Sequence, residues 1–293
     1  MTRLASALLW ATVVYAQSEP NGAGLERATL PRHWSTGGPD CATLPRWQVH
    51  EYNDDFYILR ESGCIHYEKP FLFLFFGAEK ALLIDTGAGA PETAREVRDL
   101  VARRSSTRAT AGLVVVHSHG HGDHTAGDRG FTDMLGVVVV RPEVAAITKA
   151  LNVTSWPEGI GSLDLGNRLI DVIPIPGHDA VSLAFYDRRT GILLTGDTVY
   201  PGRLYVQDFA AYLASIQRLL RFTADKPVAH ILGNHIEQTD TPYLDYPVGT
   251  KYQPEEHPLA LSRAQLLELA AGLEEMKSHP MRRAFRDFTI WPK

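Results

Sequence analysis

Residues 117–128 read HSHGHGDHTAGD and follow directly on the apolar run GLVVV of residues 112–116. His119, His121, Asp123 and His124 place four potential metal donors within six residues. A helix would carry metal-binding histidines at i and i+4. Here the spacing is two, two and one, with glycine at 120 and 122, which suits a loop because glycine permits backbone turns that other residues resist. Such a loop can aim His119 and His121 at one cation and Asp123 and His124 at a second. Zinc prefers four ligands, so each ion would need further donors. His178 follows IPIPG, Asp197 follows GILLTG and His235 follows VAHILGN. Each comes after an apolar run containing or ending in glycine, so one edge of a sheet could gather all three. A single histidine at a strand end is an ordinary polar loop residue; the joint occurrence is what points to a metal site.

The elements that must position these donors are legible as alternating patterns. FYILR and FLFLFFG read as strands, the second apolar enough to be buried on both faces. KALLIDTG is a strand ending at Asp85 and a glycine turn, and Pro91 then opens a helix over residues 92–104. GLVVV and GVVVV (136–140) are expected as buried strands, with Pro142 and a short helix through Lys149 after the second. RLIDVIPIPGH and VSLAFYD flank His178, and GILLTGD ends at Asp197. QDFAAYLASIQRLLRF has helical amphipathic spacing, and VAHILGNH is a further strand. A Pro/Tyr-rich loop and a helix over residues 262–277, with Ser262 as N-cap, complete the chain. The alternation, without short-period repeats, predicts one α/β domain of two sheets with helices outside over residues 46–293. Residues 17–45, rich in Pro, Gly, Ser and Thr, read as an irregular leader.

Bulk properties narrow the classes. The 293 residues are 44% hydrophobic and 22% charged, as in globular proteins. A net charge of −5, with basic runs interrupted by acidic or apolar residues, argues against a nucleic-acid surface. MTR followed by LASALLWATVV and VYA before QSEP predicts a secretory signal peptide, residues 1–16, cleaved after Ala16. The run is shorter than the roughly 20 apolar residues of a membrane span; a buried N-terminal helix is the alternative. The mature protein is expected to be exported, to a periplasm or the extracellular space. Cys41 and Cys64, neither in a CxxC pattern, could pair there or remain free thiols. NVT at 152–154 is a glycosylation sequon only in a eukaryotic source.

HGHGDH, the strand-end Gly-His, Gly-Asp and Asn-His pairs, and LLIDTG together resemble the metallo-β-lactamase superfamily over roughly residues 50–240. The resemblance implies a four-layer αβ/βα sandwich with a dinuclear site at one edge. It implies that His119, His121 and His178 bind one metal, that Asp123, His124 and His235 bind the other, and that Asp197 bridges them. Asp85 would brace the metal loop. Two zinc ions per chain are expected, with iron or manganese as alternatives. A water shared by two zinc ions has a pKa near about 7 and would attack a carbonyl as a bridging hydroxide, with Asp123 orienting it and taking its proton. No serine or cysteine nucleophile is needed.

Within the family, zinc β-lactamases carry cysteine or serine where Asp197 stands, and diiron flavoproteins carry glutamate where His121 stands. The RNA-cleaving branch usually has an inserted domain, for which the 37 residues between Asp197 and His235 leave no room. The expected activity is therefore hydrolysis of an ester, thioester or lactone on a small-molecule substrate, in the manner of glyoxalase II or lactonase enzymes. The alternatives are a β-lactamase or a mononuclear-iron persulfide dioxygenase. Tyr200 coincides with a lactonase tyrosine that hydrogen-bonds the substrate carbonyl. Tyr243, Tyr246, Tyr252 and His257 are candidate pocket residues, and His117 a candidate support behind the ligands. Glyoxalase II's glutathione-binding basic residues are not evident near the C-terminus. His33, His50, His66, His230 and His279 have no ligating spacing.

Overall fold

In the segment FLFLFF every side chain is buried, which a strand achieves only when both of its faces are covered. A computed structural model of the chain describes residues 24–107 and 112–293; the expected signal peptide lies outside them. Six strands form the first sheet in sequential order: β1 (Trp47–Asn53), β2 (Phe56–Glu61), β3 (Phe71–Phe76), β4 (Ala81–Ile84), β5 (Leu113–Val116) and β6 (Val137–Val139). The first four are antiparallel; β4, β5 and β6 run parallel, with α1 (Thr93–Thr107) crossing from β4 to β5. After β5 come the single turn α2 (Gly122–Thr125) and, beyond β6, the short helix α3 (Val144–Ala150).

The second sheet contains β7 (Gly161–Asp164), β8 (Leu169–Pro174), β9 (Leu183–Asp187) and β10 (Ile192–Leu194), then β12 (His230–Leu232) and β13 (Ala260–Leu261). Only β10 and β12 are parallel neighbours, and α4 (Phe209–Phe222) lies between them in sequence. A third, small sheet pairs β11 (Arg203–Val206) with β15 (Thr289–Pro292) and β14 (Arg283–Ala284). The remaining helix, α5 (Arg263–Glu275), opens with the expected Ser262 cap, completed as a capping box by Gln265.

Side-chain alternation builds the layers. From β3, Phe71, Phe73 and Phe75 face the second sheet, where they join Ile170, Val172 and Phe185. Leu72, Leu74 and Phe76 face outward and pack with Val97 and Leu100 of α1. On the far side of the second sheet, Ile173, Leu193 and Ile231 cluster with Ile216 of α4 and Leu269 of α5. The result is α1, sheet, sheet, then α4 and α5, the expected four-layer αβ/βα sandwich. Each buried aromatic or aliphatic side chain contributes about 1.5–3 kcal/mol to it.

GVVVV departs from expectation. It forms an edge strand, the last of its sheet among the described residues, and Val138 is 60% exposed. Residues 24–46 contain no strand or helix, yet Trp34 is buried against Phe71, ring centroids 4.9 Å apart. Cys41 and Cys64 form a disulfide that fastens this segment to the turn after β2. Among the described residues, no helix is long and apolar enough to cross a membrane. β4, β5, β8, β10 and β12 all end towards one rim of the sandwich, and the donors singled out in the sequence follow those ends.

Candidate metal centre and active site

The rim is organised by one buried carboxylate. Asp85, just past β4, sits at φ 66°, a left-handed conformation that Asp tolerates better than most residues. Its Oδ1 accepts from Ser118 N at 2.7 Å; its Oδ2 accepts from Ser118 Oγ at 2.7 Å, His124 Nδ1 at 3.0 Å and Asn234 Nδ2 at 2.6 Å. Asp85 thus ties the histidine loop, a metal-donor histidine and the loop before His235 to one anchor. His117 lies behind the loop, its Nδ1 donating to His124 O at 3.2 Å.

The seven donors converge as two groups. His119 Nε2 and His178 Nε2 lie 2.9 Å and 3.2 Å from His121 Nδ1. Asp123 Oδ2 lies 3.1 Å from both His124 Nε2 and His235 Nε2, which are 3.4 Å apart. Asp197 stands between the groups. Its Oδ2 faces His178 Nε2 (3.7 Å) and His119 Nε2 (3.9 Å), while its Oδ1 faces His235 (3.3 Å) and His124 (3.5 Å). Within each group the ligand atoms lie within 4.8 Å of one another.

The hydrogen-bonding pattern fits cations in both groups. His178 Nδ1 donates to Tyr205 O at 2.9 Å and His235 Nδ1 to Glu68 O at 2.9 Å, while His124 Nδ1 is held by Asp85. Ser118 Oγ, whose proton goes to Asp85, lies 3.1 Å from His119 Nδ1 and accepts from it. With the outer nitrogens protonated, the inner Nε2 atoms of four rings present lone pairs to the rim, the arrangement of metal-ligating histidines. Asp197 Oδ1 is buried and has no hydrogen-bond partner among the described residues. Converging lone pairs and an unpartnered carboxylate oxygen would be satisfied together by bound positive charge.

The electrostatics of the two groups differ. Burial opposes the charges of Asp123 and Asp197, but His124 and His235 outweigh it and hold both carboxyls below their usual range. Burial also opposes charge on His124 and His235, and the neighbouring carboxylates more than offset it, raising both. His119 and His178 lie lower than usual, chiefly through burial, and so favour the neutral, ligating form.

Glycine sets the approach to His178. Gly177 adopts φ 139°, and a Cβ there would lie 2.4 Å from Tyr212 Cα in α4. The helix backbone therefore packs directly on the turn that delivers the histidine.

An open cleft of about 160 Å³ lies over the donors. Tyr200 lines it with its ring, 5.8 Å from the His235 ring, while its hydroxyl donates to Arg203 O at 2.5 Å and lies 3.2 Å from Glu237 Oε2. The expected pocket residues Tyr243, Tyr246, Tyr252 and His257 do not line this cleft. Tyr243 and Tyr252 are exposed on the loop beyond it, Tyr246 O accepts from Arg203, and His257 pairs with Asp287. The cleft is walled instead by Glu68, Tyr205, Gln207, Glu237 and Lys293. Asp179 is a further addition, 3.8 Å from His121 Nε2; its position directly after His178 was the available signal.

Comparison with known proteins accords with this geometry. The family described as the metallo-beta-lactamase superfamily matches residues 71–235, a span that contains all seven donors. An acyl-coenzyme A thioesterase MBLAC2 of Bos taurus is 24% identical over 229 residues, covering 64% of this chain and 81% of the relative. A hydroxyacylglutathione hydrolase of Brucella ovis is 28% identical over 111 residues, covering 37% of this chain and 43% of the relative. Among solved structures, a metallo-beta-lactamase from Pontibacter korlensis superposes with a TM-score of 0.52 at 20% identity, covering 78% of this chain and 99% of the other. The mono-zinc FIM-1 enzyme of Pseudomonas aeruginosa gives 0.53 at 15%, covering 80% and 99%. The structural likenesses speak to the fold, and the family match spans more than half of the sequence. The chain belongs to the metallo-β-lactamase superfamily and is a metal-dependent hydrolase.

Proposed function

We propose that the protein binds two zinc ions and hydrolyses an ester, thioester or lactone. The observation that carries the reading is Asp197, whose two oxygens face the two donor groups separately. Imidazole and carboxylate donors suit zinc, with iron and manganese as competitors. Zinc held there would supply Lewis acidity and a water acidified to a pKa of about 7.

The chain's own contributions follow from its contacts. Asp85, Ser118 and the carbonyls of Glu68 and Tyr205 fix the imidazole planes, so little reorganisation is needed during turnover. Asp123 Oδ2, ionised and held between His124 and His235, accepts a proton and returns it to the departing sulfur or oxygen. The Tyr200 hydroxyl is the second catalytic candidate, donating to the substrate carbonyl when it exchanges its bond to Arg203 O.

Thioester chemistry is supported by the names of the two relatives, an acyl-coenzyme A thioesterase and a hydroxyacylglutathione hydrolase. Aspartate at 197 counts against β-lactam hydrolysis as the main activity. The test is a panel of p-nitrophenyl esters, thioesters, lactones and cephalosporins, run on protein of measured metal content. Two zinc per chain with thioester or lactone turnover supports the proposal. One iron per chain with persulfide oxidation, or turnover confined to cephalosporins, overturns it.

We also propose export. The segment 1–16 supports it, and so does the Cys41–Cys64 disulfide, since such bonds persist in oxidising compartments. Secreted protein should begin at Gln17; N-terminal sequencing that finds Met1 retained contradicts this.

A further inference from the structure

The cleft is lined by four carboxylates, those of Glu68, Asp123, Asp197 and Glu237, and by one lysine or arginine, Lys293. Each carboxylate faces another side chain of the protein. Asp123 and Asp197 face the donor histidines. Glu237 pairs with Arg203 at 2.6 Å, and Glu68 accepts from Tyr67 Oη at 2.9 Å. Lys293 has no such partner: among the described residues it makes no ion pair and no side-chain hydrogen bond. It is nevertheless seated. Its Nζ lies 4.2 Å from the Tyr205 ring centroid and 5.0 Å from that of Trp291. The two rings are 5.5 Å apart, and Arg282, which makes no ion pair among the described residues, covers Trp291 at 3.7 Å.

The seat is built into the fold. β11 and β15 pair in parallel, bringing Tyr205 opposite Trp291, and Lys293 N donates to Val206 O at 3.0 Å. Tyr205 O also holds His178, so the ring that carries the ammonium belongs to the residue that orients a metal donor. A cation on aromatic faces keeps its charge while losing side-chain freedom in advance, which lowers the cost of binding an anion.

We propose that Lys293, with Arg282 behind it, binds an anionic group on the substrate, a carboxylate or phosphate set away from the reacting carbonyl. The word substrate here rests on the hydrolase reading above. The geometry makes the lysine a specificity-determining residue: among the described residues it is the one lysine or arginine lining the cleft, so an anionic group of the substrate meets a side-chain ammonium along this wall and no other.

The test uses the zinc-loaded protein and S-acetyl thioesters of 2-mercaptoethanol (neutral), 3-mercaptopropionate (carboxylate) and phosphopantetheine (phosphate). The matching S-ethyl thioethers, which cannot be hydrolysed, are titrated by calorimetry. The wild type should favour the anionic thioesters over the neutral one by about fivefold or more in KM, a gap that narrows at high salt. Lys293→Met should collapse the preference, Lys293→Glu invert it and Lys293→Arg retain it, with the same order in thioether binding. A preference confined to the phosphate assigns a phosphorylated thiol; one shared by both assigns charge alone. Equal losses on neutral and anionic compounds, or no charge preference in the wild type, overturn the proposal. Lysine-dependent thioether binding without turnover of any thioester keeps the subsite and defeats the hydrolase reading. Turnover without charge preference does the reverse.

Discussion

Asp123 and Asp85 differ in what their loss should do, although both touch His124. Asp123 faces the cleft and the inner nitrogens. Asp123→Ala should lower turnover by a factor of about 10² or more, the scale of a lost general acid–base, and weaken one of two metal equivalents. Activity within tenfold of wild type, measured beside metal content, would remove it from the mechanism. Asp85 faces away from the cleft and holds three segments. Asp85→Ala strands several buried donors, so it should destabilise the fold by about 3 kcal/mol or more and weaken metal binding about 10- to 100-fold. Denaturant melts and metal titration read both effects. Tyr200→Phe should lower kcat and leave metal content unchanged; unchanged kcat with a lower Tm would confine the hydroxyl to its bond with Arg203 O. The convergence of the seven candidate donors was legible because side-chain type and strand-end position mark them. The groups that orient His178 and His235 were not, since Tyr205 O and Glu68 O are backbone atoms, which any residue carries.

Strands and turns decide how rigidly the donors stand. Gly177 is the sharpest case, because its left-handed backbone and the contact with Tyr212 leave no room for a methyl group. Gly177→Ala should cost on the order of 2 kcal/mol or more and displace His178, seen as a lost metal equivalent before any change in the donors themselves. Of the elements, β3, β4, β5 and α4 could be read directly, each being a sustained run with one clear period. The third sheet could not. Its strands are two to four residues long, too short for any period to emerge, and their pairing joins residues 203–206 to residues 289–292. The wall that carries Lys293 was hidden for that reason. GVVVV misled because an edge strand and a central one share the same composition.

At the scale of the whole molecule, stability should depend on two features outside the set of seven donors. The Cys41–Cys64 bond closes a loop of 23 residues, so Cys41→Ser with Cys64→Ser should cost about 3 kcal/mol, read as a lower Tm. Glu61, buried at the end of β2, has its pKa pushed up by burial to about 7 from 4.5, against the Ala88 N–H that bonds it. Between those values the folded chain keeps a proton that the unfolded chain has released. This contribution is therefore complete below about pH 4.5 and lost as pH rises through about 7, for a total on the order of 3 kcal/mol. Glu61→Gln should flatten that part of the stability–pH curve; parallel curves for the two proteins would disprove it. The sandwich was legible from alternation and buried runs, whereas the disulfide could only be left open between pairing and free thiols, because spacing does not bring Cys41 near Cys64 without the fold.

Glu68 and Tyr205 each do two things with different atoms. Their carbonyls steady histidines, and their side chains face the incoming molecule. Main-chain oxygens survive almost any substitution. Mutation can therefore remodel the wall that meets a new compound without loosening the cation cage beneath it, and selectivity and reactivity are free to drift separately over the history of such a protein.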